Sequence, residues 1–160
     1  MKRRITLTSV LALFLSVCLV LSACGGGPSV KITSADLDTD LATVGVMFEL
    51  SGADSADLIL EFENHDSTKL DGILRYKASV SASDGNNQLK LISFSTYEKT
   101  LFEAEESTKY GDSPISSGYL VFNDASGTFD FTKYFGEGFT ARCIFKVDGE
   151  EIGSEVITVK

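Results

Sequence analysis

Chemistry in this chain would have to come from few side chains. His65 is the single histidine among 160 residues, so any Ser-His-Asp or Cys-His relay would run through it. It lies in Asn64-His65-Asp66-Ser67, a polar run that reads as a surface loop. Cys143 falls on the apolar side of an alternating segment, where a thiol packs as a small hydrophobe with a raised pKa and little reactivity. Asp36, Asp38 and Asp40 are spaced carboxylates of the kind a hard cation prefers, but an EF-hand loop would need Gly and Glu where Leu41 and Met47 stand. They read as solvated turn and strand-edge aspartates, with an irregular calcium site as the alternative. Glu103, Glu105 and Glu106 supply carboxylates that glycoside hydrolysis would use in pairs, yet nothing in the sequence sets two of them across a cleft. The chain has no Cys/His metal-ligand spacing and no Gly-rich phosphate loop of the P-loop or Rossmann type. The expectation is therefore a protein without catalytic residues, metal ligands or cofactor.

The strongest signal is the amino-terminal leader. Lys2, Arg3 and Arg4 precede an apolar run from Val10 to Leu21, and the small residues Ser22 and Ala23 follow, then Cys24. Twelve apolar-run residues fit the roughly 7–15 of a secretory signal and fall short of the ~20 that cross a bilayer. Extending the run back to Ile5 would make an uncleaved anchor, but Thr6, Thr8 and Ser9 weaken that reading. Leu21-Ser22-Ala23-Cys24 resembles the lipobox of bacterial lipoproteins. The resemblance implies cleavage between Ala23 and Cys24, a diacylglyceryl group on the Cys24 sulfur, and often an acylated new amino terminus. Each buried CH₂ contributes ~0.8 kcal/mol, so two or three chains hold a protein on a membrane more or less permanently. The domains expected are a signal peptide at 1–23, a lipidated Gly-rich tether at 24–29 and one folded domain at 30–160.

Composition bounds the partners. Removing Lys2, Arg3 and Arg4 takes the formal charge from −9 to about −12. So acidic a body is repelled by nucleic acid and by anionic headgroups, and is expected to stand off the membrane that holds it. Of three cysteines, Cys18 would leave with the leader and Cys24 would carry lipid, leaving Cys143 with no intramolecular disulfide partner. Stability must then come from the core. Gly25 to Ser29 would reach under about 20 Å when extended, keeping the domain close to the bilayer.

The positioning elements read as strands. Val44, Val46, Phe48 and Leu50 share one face, as do Leu58, Leu60 and Phe62, with Ser51-Gly52-Ala53-Asp54-Ser55 as the reversal between them. Leu74, Tyr76, Ala78, Val80 and Ala82 alternate with polar residues, and Asp84-Gly85-Asn86 predicts a closing turn. A parity slip between Leu91 and Ile92 predicts a β-bulge. Residues 98–113 read as a short helix or a long loop. Tyr119 to Phe122 and Phe129 to Phe135 read as strands, and a last hairpin turns at Asp148-Gly149 with Phe139, Ala141, Cys143, Phe145 and Val147 on one face. Tyr97, Tyr110, Tyr119 and Tyr134 are candidate exposed rings, whereas most phenylalanines read as core.

No segment carries a helical stripe, so an all-β antiparallel sandwich of about eight to ten short strands is expected. Its last hairpin is similar to the closing strands of immunoglobulin-like and fibronectin type III domains, which implies an immunoglobulin-like arrangement. The chain departs from that pattern in having no Trp, no Cys to pair with Cys143, and Ala141 at the corner-tyrosine position. A jelly roll or open barrel is the alternative. The function expected is a non-catalytic interaction module on the extracytoplasmic side of a bacterial membrane, contacting an envelope protein, a peptide or a ligand. A carboxylate-based hydrolase and a structural or assembly subunit are the alternatives.

Overall fold

Alternation at period two becomes two stacked sheets in the computed structural model, which describes residues 26–65, 68–85, 89–94, 100–122 and 127–160. The elements are β1 (Ser29–Asp38), β2 (Thr43–Ser51), β3 (Ser55–His65), β4 (Leu70–Ser81), α1 (Ala82–Gly85), β5 (Leu89–Ser93), β6 (Thr100–Ala104), β7 (Lys109–Tyr110), β8 (Ser113–Pro114), β9 (Gly118–Phe122), α2 (Phe131–Phe135), β10 (Thr140–Val147), β11 (Glu150–Val156) and β12 (Thr158–Val159). One sheet has the order β12-β1-β2-β5. The other runs β11-β10-β3-β4-β6-β9, with β7 and β8 continuing its β6/β9 side. All pairings are antiparallel except β1 with β12. The molecule is an antiparallel β-sandwich, with sheets that do not close into a barrel.

The turns follow local chemistry. Asp38 Oδ1 accepts the Leu41 N–H, nucleating the β1–β2 reversal. Asp148 and Gly149 both have positive φ, at 52° and 87°, the backbone sign that a tight hairpin with right-twisted strands requires.

Between the sheets the inward residues of β2, β3, β4 and β10 are buried, Val44, Phe48, Leu58, Phe62, Leu74, Cys143 and Phe145 among them. One half of the core is aromatic. Phe62 packs against Phe94, Phe102, Phe131, Phe135 and Phe139, with ring centroids 5.2–6.5 Å apart. Rings from both sheets and from α2 thus interlock, each pair adding about 0.5–1.5 kcal/mol to the burial itself.

Several local expectations are corrected. β5 pairs with β2 in unbroken register from Thr43↔Ser93 to Met47↔Leu89, so no bulge divides Leu91 from Ile92. Leu89 and Leu91 face solvent, while Ile92 and Phe94 face the core. The register shifts in fact fall at Ile32/Ser34 and Phe145/Lys146. Residues 100–104 and 109–110, expected as helix or loop, are strands on one edge of β4. Residues 131–135, expected as strand, form a helical turn capped by the Asp130 carboxylate, which accepts the Lys133 N–H. Two rings four apart, Phe131 and Phe135, thereby reach the core together. The turn expected at Asp84 is part of α1, where its carboxylate accepts the Ser81 N–H. Finally, the chain after β11 changes sheets at the buried Ile157, whose N–H donates to Ala141, and β12 adds parallel to β1.

Candidate binding face

The outer face of the larger, eight-stranded sheet is built by the residues that alternate with the core. Successive pairings place Val156 beside Arg142, Arg142 beside Glu61, Glu61 beside Arg75, Arg75 beside Glu103, and Glu103 beside Tyr119. One row therefore crosses the six strands from β11 to β9 with charges of alternating sign and an apolar or aromatic residue at each end. Opposite charges directly across a ladder attract by about 0.2–1 kcal/mol per pair. Arg75 is the hinge of the row: Nε donates to Glu61 Oε1 at 2.7 Å, and the guanidinium also grips Glu105. Burial alone would lower its pKa, but the Glu105 and Glu61 carboxylates outweigh that and raise it. Lys77, in the parallel row, donates to Asp57 at 2.7 Å, and that bond raises its pKa.

Beyond Arg75 the face opens into a depression of about 520 Å³ lined by Arg75, Lys77, Ser79, Leu101, Glu103 and Tyr119. Tyr119 is 73% exposed, and Leu101 and Val121, which pair across β6 and β9, are 46% and 45% exposed. A flat ring and two aliphatic side chains thus adjoin fixed charges. No protein-family model, no curated protein and no solved structure matches this chain.

The residues singled out in sequence are dispersed. Cys143 lies in the core, where loss of hydration pushes its thiol up to about 11. Asp36 pairs with Lys160 at 2.9 Å and Asp38 is spent on its turn, and no cluster of three metal-ligating side chains forms among the described residues. Glu105 is bound to Arg75 and Glu106 stands exposed in the following turn, so of the three glutamates only Glu103 lines the depression. Of the tyrosines, Tyr119 and Tyr110 are exposed and Tyr134 is buried. Cys24, Ala23, Tyr97 and the His65 side chain lie outside the described residues.

A second outward patch was missed in the sequence. Leu41, Leu89 and Leu91 are 67%, 49% and 59% exposed on the four-stranded sheet, above Gly45. A Cβ on Gly45 would stand 3.2 Å from Leu89 Cδ1, so the glycine lets the leucines lie flat. The odd parity of Leu89 and Leu91 was its signal.

Proposed function

We propose that this chain is a lipid-anchored, non-catalytic binding module of a bacterial envelope, which meets an envelope protein or peptide through the Tyr119 side of its larger sheet. The leader pattern ending in Cys24 supports the anchor. The observation that carries the binding role is the exposed Tyr119–Leu101–Val121 strip set against the Arg75–Glu61–Glu105 cluster. Apolar and aromatic groups beside positioned charges are the composition of an interface centre and its rim. An immunoglobulin-like kinship belongs to the same reading and rests on the closing hairpin.

The placement of the strip suits a tethered body. Gly27 and Pro28 lie against Gly52, so the chain enters the sandwich at the β2–β3 turn. At about 3.3 Å per strand residue, the Glu61–Arg75–Tyr119 row stands about 20 Å from the Ser55 end of β3. A lipid at Cys24 would hold that end near the bilayer and leave the row accessible above it.

Two measurements test the proposal. In bacterial cells the native chain is expected in the membrane fraction with added acyl mass, and Cys24→Ser is expected to release it. A photo-crosslinking residue at position 119 is expected to capture envelope protein or peptide, whereas one at the outward Glu49 is not. Membrane retention of the serine variant, or equal capture from both positions, would overturn the reading.

A further inference from the structure

The row that ends at Tyr119 also ends at a sheet edge. Among the described residues the two sheets present five edge strands, β12, β5, β11, β8 and β9. Four are guarded in ways that discourage pairing with another chain. β12 is two residues long, β8 is two residues long and ends in Pro114, β5 carries Lys90, and β11 carries Glu150, Glu151 and Glu155. β9 reads Gly118-Tyr119-Leu120-Val121-Phe122, with neither a charge nor a proline. Its pairing partner among the described residues is β6, on one side.

We infer that the β9 edge takes up an extended cationic peptide as a further strand, with apolar side chains inward over Leu120 and lysine or arginine outward beside Tyr119. The inference rests on the binding role proposed above and names its partner chemistry. The backbone edge supplies the hydrogen bonds, and side-chain alternation sets specificity. Outward, an added strand lies about 10 Å from β6, two strand spacings away. A lysine opposite Tyr119 can span the ring and reach Glu103, the register partner of Tyr119. Glu103 makes no ion pair among the described residues, unlike Glu61 and Glu105. It is thus placed to receive a cation that also sits over the phenol ring. Inward, Leu120 is half-buried and would be covered by a β-branched neighbour. Charge favours this occupant over a second copy of the chain, because two bodies of charge −9, or about −12 without Lys2, Arg3 and Arg4, repel while a cationic strand is drawn in.

The test uses the full chain in neutral detergent and a labelled, end-blocked nonapeptide of alternating lysine and valine, read by fluorescence anisotropy. Binding is expected to be at least about tenfold tighter than for the alternating glutamate–valine peptide, and to weaken as salt rises. Val121→Lys and Tyr119→Ala, both at exposed positions, are each expected to weaken it about tenfold. Methylating the peptide's amide nitrogens at one set of alternate positions should abolish binding, while methylating the other set should change it less than about twofold, since only one set faces the ladder. Equal effects of the two sets would mean adsorption through side chains and overturn strand addition. So would no binding, or a dimer by light scattering that Val121→Lys dissolves. Failure here with position-119 crosslinks intact removes the strand-addition inference alone; membrane retention of Cys24→Ser removes the anchored module instead.

Discussion

Cys143 shows how one residue's chemistry is set by where its strand face points. Its side chain is fully buried between the sheets, and desolvation holds the thiol protonated up to about 11 against an ordinary value of 9.0. A raised acid pKa in the folded state means that the unfolded chain releases its proton first. The associated stability is complete below pH 9, falls between 9 and 11, and is gone above. A shift of this size corresponds to about 2–3 kcal/mol. Urea unfolding at stepped pH should show the native chain losing that much over the window relative to Cys143→Ala. Parallel curves for the two proteins would show that the thiol titrates alike folded and unfolded. The same burial makes Cys143 slow toward thiol reagents, since the thiolate is the reactive form.

At the scale of elements, the 100–122 hairpin decides the candidate face, because β6 and β9 carry Leu101, Glu103, Tyr119 and Val121. It is pinned to β4 where its strands are interrupted. Thr108 is buried there, its hydroxyl donating to the Ile73 carbonyl at 3.2 Å and its carbonyl accepting the Ile115 N–H. Gly72 makes this contact possible: its φ is +117°, and a Cβ would stand 2.8 Å from the Thr108 backbone. Gly72→Ala combines backbone strain with a backbone clash, and is expected to cost about 2–4 kcal/mol in denaturant unfolding. Hydrogen exchange should rise first in β6 and β9 of that variant. Unchanged protection there would mean that the hairpin is held by its aromatic side chains alone.

For the whole molecule, cohesion rests on an aromatic centre joining both sheets, with no disulfide at Cys143. Phe62 meets rings from the β5 end, β6 and α2, so its removal opens a cavity that no single element can close. Phe62→Ala is expected to lower stability by about 3–5 kcal/mol, measured by reversible urea unfolding. A loss under about 1 kcal/mol would mean that the neighbouring rings collapse into the space.

What the chain's order of residues settles by itself is local. Alternation in 44–50, 58–62, 74–80 and 139–147 and the turn chemistry of Asp148-Gly149 act over a few residues, so the strands and their sandwich class were legible. The acidic charge was legible as well, because it is a sum over side-chain types that needs no structure. Period two, however, defines two faces without saying which one is covered. Leu89 and Leu91 therefore looked like core out of step, when they are outward residues of a regular strand. Capping by Asp130 and ring packing overrode the strand-like composition of 131–135. The change of sheet at Ile157, the docking of 100–122 on β4, and the row from Arg142 to Tyr119 join residues far apart in the chain. Those were decided only by tertiary pairing, because a ladder's register is fixed by what buries its other side.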